Sequence, residues 1–151
     1  MMKKMLLVFI IFLIFVSQIY GQDDLISQWI ANLIDTSISA IGGSVPDGFR
    51  RSDRTTFIND DSIILITENG IVVLSAIVYA WATTHEAHEF NGLLYDYFEN
   101  NRNNWRFIRS TYNGTDIYLR NGIYAGIQIP SRRDDGMIAS LIGFSRNIDD
   151  L

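Results

Sequence analysis

Two histidines and two glutamates stand within five residues, at His85, Glu86, His88 and Glu89. Imidazole and carboxylate groups are general acids, general bases and zinc ligands, so this cluster has the residue types for catalysis or metal binding. The zinc motif His-Glu-x-x-His needs histidines at i and i+4, whereas here only two residues separate them. Histidines at i and i+3 still lie on one face of a helix, and Glu89 lies on the same face. This spacing predicts a metal site of His85, His88 and Glu89. The alternative, and the commoner case, is an exposed first helical turn.

Three arginines lie in one short predicted loop, at Arg50, Arg51 and Arg54. A guanidinium group donates paired hydrogen bonds to carboxylates and phosphates, so this loop is a candidate site for an anionic ligand. The alternative is that these arginines pair with acidic residues nearby in the sequence: Asp47, Asp53 and Asp60.

Several other chemistries are excluded by composition. The only lysines are Lys3 and Lys4, and the chain has no cysteine, so the domain after the leader has no Schiff-base lysine, phosphate-loop lysine, thiol nucleophile or disulfide. The sequence also lacks a Gly-x-Ser-x-Gly elbow and a Gly-x-Gly-x-x-Gly loop. Paired carboxylates for glycoside hydrolysis remain open, because their separation is set by the tertiary structure. We expect no cofactor.

The N-terminus has the order of a secretory signal peptide. Lys3 and Lys4 precede the apolar residues 5–16, and Gly21 offers a small residue for cleavage. A retained membrane anchor is the alternative, but a spanning helix needs about 20 apolar residues and Ser17 interrupts this run earlier. We therefore predict a signal peptide over residues 1–21, a single globular domain over residues 22–151, no stable membrane anchor after cleavage, and a secreted or periplasmic location.

Without the leader, 10 arginines face 17 aspartates and glutamates, which gives a net charge of −7. Binding of nucleic acid depends on neutralising phosphates, so nucleic acid is not an expected partner. The last residues, from about Asn147, are predicted to be frayed.

The sequence of the first half of the domain predicts two helices and a hairpin. Apolar residues at three- and four-residue steps indicate a helix from Asp23 to the Gly42-Gly43 pair. Residues 62–68 and 71–82 are predicted to form two strands joined by the Asn69-Gly70 turn, and consecutive apolar residues in both strands indicate that neither face is wholly solvated. A second helix is predicted over residues 84–100, with Thr83 and Glu86 as a capping box.

The sequence of the second half of the domain predicts a four-stranded meander over residues 105–112, 115–119, 123–129 and 137–144. Alternation of apolar residues favours a three-residue loop of Arg120, Asn121 and Gly122, which would place Tyr118 opposite Tyr124 on one face beside Arg120. Those residues could form a flat ligand or partner surface. The alternative is a cross-strand pair that only stabilises the sheet.

These elements predict an α+β fold in which an N-terminal helix packs on an antiparallel sheet. From Ile71 onward the order of strand, helix and four strands resembles the cystatin-like topology, in which a curved sheet wraps one helix; such folds serve as inhibitors, binding modules and enzymes alike. We expect a non-catalytic binding module for an unknown protein or small ligand, which it meets through a concave sheet face or the tyrosine surface. The alternative is a small extracytoplasmic hydrolase or metal protein that uses His85 and His88. The oligomeric state stays open.

Overall fold

A computed structural model describes residues 10–11 and 23–151 of the chain, so nearly all of the predicted signal peptide lies outside the described residues. Two helices, α1 (Asp23–Ala40) and α2 (Thr84–Asn100), match the two predicted helices. None of the helices in the described part is long and apolar enough to cross a membrane.

Helix α2 begins with the predicted capping box. The Glu86 amide donates to the Thr83 hydroxyl oxygen at 3.2 Å, and the Thr83 amide donates to the Glu86 carboxylate at 3.1 Å. The Asn91-Gly92 pair, a turn signal elsewhere, lies inside this helix because Phe90 and Leu94 of the apolar stripe are buried on either side of it.

The strands form one nine-stranded antiparallel sheet in the order β1-β2-β3-β4-β9-β7-β6-β5, with β8 paired to β9. This architecture confirms the predicted α+β class with an N-terminal helix on an antiparallel sheet. The strands are β1 (Arg50–Arg51), β2 (Thr56–Ile58), β3 (Ile63–Glu68), β4 (Ile71–Trp81), β5 (Arg106–Ser110), β6 (Asp116–Arg120), β7 (Ile123–Ile127), β8 (Ser131–Arg132) and β9 (Ile138–Ser145).

The turn between β6 and β7 differs from the sequence prediction. Asn121 and Gly122 have φ angles of 50° and 78°, so they form a two-residue turn in which both residues are left-handed. The register pairs Leu119 with Tyr124 and Tyr118 with Ala125. The prediction of a three-residue loop was wrong because it assumed one clean apolar face, whereas β6 carries large apolar residues on both faces.

Both helices pack on one face of the sheet, here called the inner face. They share one core with the inward residues of the central strands, which include Leu65, Ile77, Ile142 and Phe144. Hydrogen bonds reinforce this packing: the Ser75 hydroxyl donates to the Ser37 carbonyl oxygen of α1 at 2.8 Å. Neither α1 nor α2 packs on the opposite, or outer, face.

Residues 148–151 fold back onto the outer face. A 3-10 turn (Ile148–Asp150) follows Ser145, whose hydroxyl donates to the Asp150 carboxylate at 2.6 Å. Leu151 then lies over Gly143 and Gly126; a Cβ atom at Gly143 would be 2.9 Å from Leu151 Cδ2. The prediction of a frayed end was wrong, because two positions without side chains accommodate Leu151.

The two edges of the sheet are unlike its centre. Strand β1 has two residues, both exposed, and β5 shifts register between Phe107 and Arg109. Phe107 is 53% exposed at this second edge, although its ring still lies 5.5 Å from the Tyr118 ring.

Replacement of Gly143 by valine tests the packing of residues 148–151. The added side chain would overlap Leu151, so we expect G143V to lower the free energy of unfolding by about 1–3 kcal/mol. Denaturant unfolding measures this loss. In a double-mutant cycle, Leu151→Ala should cost much less in the G143V background than in the wild type; fully additive losses would contradict the contact.

Candidate functional site

The arginine loop is built by the hairpin of β1 and β2. Arg51 pairs with Phe57 in the register, and residues 52–55 turn between the strands. Asp53 holds this turn: its carboxylate accepts hydrogen bonds at 2.9 Å from the amides of Thr55 and Thr56. These bonds, that from the Thr55 amide above all, hold the pKa of Asp53 below its usual value. The loop thus has a fixed backbone despite its exposure.

The three predicted arginines have different partners. Arg50 forms an ion pair with Asp60 at 2.8 Å, which confirms the internal-pairing alternative for this residue. Arg51 Nε donates to the Asp53 carbonyl oxygen at 3.2 Å and Nη2 donates to the Arg54 carbonyl oxygen at 3.0 Å. Its guanidinium carbon also lies 5.8 Å from the centre of the Phe57 ring. Within the described residues, the Arg54 side chain has no hydrogen bond or ion pair.

Arg51 and Arg54 line a cavity of about 770 Å³, which we call the arginine cleft. Phe57 supplies an aromatic wall, and the β3–β4 turn supplies Glu68 and Asn69 on another side. The cleft therefore combines two guanidinium groups, an aromatic ring and a single carboxylate. Only the arginines were candidates from the sequence. The pairing of β1, β2 and β3 brings Phe57 and the β3–β4 turn beside the two arginines. No local sequence pattern predicts this pairing.

The histidine cluster lies on the first turn of α2. His85 Nε2 is 3.1 Å from Glu89 Oε1, and both side chains are largely exposed at 82% and 63%. His88 is also exposed. In the described part of the chain, no three histidine, aspartate or glutamate side chains are grouped so that they could hold a metal ion. The geometry observed here is an exposed contact between side chains one helical turn apart.

Tyr118 and Tyr124 do not form one surface, so this sequence prediction was wrong. Tyr118 points to the inner face, where its ring stacks on Phe98 with centroids 4.4 Å apart and burial raises the pKa of its hydroxyl. Arg120 shares that face, with its guanidinium carbon 5.9 Å from the Trp105 ring. Tyr124 pairs with Leu119 and therefore lies on the outer face. The two-residue turn is the reason for the difference.

A second cavity, of about 470 Å³, opens beside residues 148–151. Ile66 and Leu74 contribute apolar surface, and Arg146 and Asp150 contribute charge. This cavity could not be predicted from the sequence, because it depends on the folded position of residues 148–151. The consecutive apolar residues of β3 and β4 were the available signal that this face is apolar.

Comparison with known proteins finds no matching family model, no matching curated protein and no matching solved structure.

A pH titration tests the role of Asp53. The lowered pKa means that the carboxylate supports the turn at all pH values above its ordinary pKa of about 3.9, and that this support is lost as the pH falls through the lower folded value. We expect the Thr55 and Thr56 amide signals in NMR spectra to titrate with a shared midpoint below about 3.9. Asp53→Asn should abolish that step. A midpoint at or above the ordinary value would contradict the hydrogen-bonded turn.

Proposed function

We propose that this protein is a non-catalytic binding module that takes a small organic anion, a carboxylate or a phosphate ester, into the arginine cleft. The observation that carries the proposal is the position of Arg51 and Arg54 on one cavity beside the ring of Phe57. Guanidinium groups bind carboxylates and phosphates through charge-assisted hydrogen bonds, and an aromatic wall favours an anion with an apolar part.

The two arginines have separate roles in this proposal. Arg51 is already oriented by two backbone carbonyls and by Phe57, so little conformational entropy is lost when it meets a ligand. Arg54 has an unpaired guanidinium in the described structure and can supply the paired hydrogen bonds. Glu68, on another side of the cleft, repels an anion and limits its affinity.

Binding is proposed rather than catalysis because the cleft offers no activated nucleophile. The hydroxyl of Thr67 donates to the Thr55 carbonyl oxygen at 3.3 Å, and no histidine lines the cavity. The alternative enzyme function needs His85 and His88, whose side chains are exposed on the first turn of α2.

Binding of benzoate, with benzyl alcohol as a neutral analogue, tests the arginine cleft. Hydrogen bonds to charged groups contribute about 1.5–3 kcal/mol, so Arg54→Gln should weaken benzoate binding by at least tenfold. Glu68→Gln should strengthen it, because the repelling charge is removed. NMR titration measures both effects, with signals from residues 51–57 expected to shift.

The matched control is Arg102→Gln, since Arg102 is an exposed arginine that pairs with Glu99 on α2. This variant should bind benzoate like the wild type. Equal weakening by Arg54→Gln and Arg102→Gln would show a general charge effect, and equal binding of benzyl alcohol would show that the cleft does not select anions. Either result would overturn the proposal.

We propose a secreted or periplasmic location because residues 1–21 have the arrangement of a signal peptide: a charged start, an apolar run and then a small residue. Under this proposal the protein is exported and cleaved after Gly21. Intact mass spectrometry of the protein from its own host should give the mass of a chain that starts at Gln22. A mass that includes Lys3 and Lys4 would contradict cleavage.

A further inference from the structure

The second cavity lies where three parts of the chain meet: the end of α1, the β3–β4 hairpin and the segment that follows β9. Hydrogen bonds join the first two parts. The Gly42 amide donates to the Val72 carbonyl oxygen at 2.8 Å, and the Val72 amide donates to the Gly43 carbonyl oxygen at 2.9 Å. The third part is held by the Ser145 hydroxyl, which donates to the Asp150 carboxylate at 2.6 Å. Because these walls are fixed, a ligand can bind with little reorganisation of the protein.

The floor of the second cavity is aliphatic. Ile66 and Leu74 are cross-strand partners, and Ile71 pairs with Glu68 nearer the turn. Ile66 is 36% exposed and Ile71 is 44% exposed, so both present apolar surface to the cavity. Among the described residues, no aromatic ring lines it. Removal of this surface from water is favourable, and a branched aliphatic group on a ligand would achieve it.

Charged groups of both signs lie around this floor without pairing with one another. Arg146 supplies a guanidinium group, and Glu68 supplies a carboxylate. Within the described residues, neither of these side chains forms a hydrogen bond or an ion pair. Asp150 adds a second carboxylate, of which one oxygen already accepts the Ser145 hydroxyl. A ligand that carries both a carboxylate and an ammonium group would satisfy Arg146 and Glu68 at the same time.

Gly42 determines how closely Arg146 approaches the end of α1. A Cβ atom at Gly42 would lie 3.1 Å from Arg146 Nη2, so the guanidinium group packs against backbone that carries no side chain. Packing of this kind limits the conformations of a long side chain before a ligand arrives. The planar guanidinium group can then bind a carboxylate through two parallel hydrogen bonds.

We propose that the second cavity binds a free amino acid with a branched aliphatic side chain, such as leucine. Arg146 binds the carboxylate, Glu68 binds the ammonium group, and the aliphatic floor receives the side chain. A simple anion would be repelled by Glu68 and Asp150, whereas a simple amine would leave Arg146 unpaired. The volume of about 470 Å³ lies within the range of small-ligand sites, roughly 300–1,000 Å³. This site is distinct from the arginine cleft and takes a different class of ligand.

NMR titration with four ligands tests the proposal without altering the protein. Leucine should shift the amide signals of residues 41–42, 66–74 and 145–150, which line the cavity. Glycine lacks the aliphatic side chain, isoamylamine lacks the carboxylate, and isocaproate lacks the ammonium group. Each of these three should bind at least about fivefold more weakly than leucine. Equal binding of any of them, an absence of shifts with leucine, or leucine shifts confined to residues 51–57 would overturn the proposal.

Arg146→Gln tests the carboxylate subsite. This variant should weaken leucine binding by about five- to tenfold, because the partner of the ligand carboxylate is lost. Arg102→Gln is the matched control, since Arg102 is an exposed arginine that pairs with Glu99, and it should bind leucine like the wild type. Equal leucine affinities of the Arg146→Gln variant and the wild type would contradict the proposal. So would equal weakening by the two substitutions, which would show a general charge effect.

Glu68→Gln separates this inference from the proposal for the arginine cleft, because Glu68 lines both cavities. The substitution should weaken leucine binding and strengthen benzoate binding, since the same carboxylate attracts an ammonium group in one cavity and repels an anion in the other. Leucine binding that is unchanged or stronger in this variant would remove Glu68 from the second site and overturn the proposal. Loss of benzoate binding alone would overturn only the arginine cleft.

Discussion

The pairing of β4 with β9 is the interaction on which the rest of the structure depends. It joins the strands of the first half of the domain to the meander of the second half, through partners that run from Leu74–Ser145 to Trp81–Ile138. Such partners are far apart in the sequence, so their pairing carries a large loop-closure cost that the buried side chains must offset. Two buried hydrogen bonds mark this junction: Trp81 Nε1 donates to Ser140 Oγ at 3.1 Å, and Ser140 Oγ donates to the Ala87 carbonyl oxygen at 3.3 Å.

The same junction decides what each face of the sheet can do. On the inner face it forms the floor on which α1 and α2 pack, with Ile77 and Ile142 fully buried. On the outer face it presents small and medium apolar residues that the helices cannot reach. The arginine cleft lies at a distance from this centre, on the short strands β1 and β2, where the backbone is exposed and local hydrogen bonds replace packing. The strand order therefore places the buried junction at the centre of the sheet and the polar arginine cleft at its margin.

Local signals predicted local structure well. The capping box of Thr83 and Glu86, the Asn69-Gly70 turn and the two helical stripes each depend on residues within a few positions of one another, and all are observed. The apolar runs of β3 and β4 also indicated two faces that avoid water. For the site, the sequence identified the arginine loop and, for Arg50, the pairing with Asp60.

Features that depend on distant residues could not be predicted. Whether Tyr118 and Tyr124 share a face depends on whether their turn has two or three residues, and alternation could not decide this because β6 is apolar on both faces. Gly126 and Gly143 gave no sign that Leu151 would fill the space above them. The side-chain amide nitrogen of Asn91 donates to the Gln128 carbonyl oxygen at 3.0 Å across the domain, which was equally invisible in the sequence.

The two edges of the sheet determine whether strands of other molecules can pair with it. Strand β1 offers only two residues to a further strand, and β5 has an interrupted register with arginines at positions 106 and 109. Short, bulged and charged edges oppose the addition of strands from other molecules, and this is how natural sheets avoid fibrils. Because both edges are protected in this way, molecules in a concentrated solution should not join into filaments by pairing strand to strand.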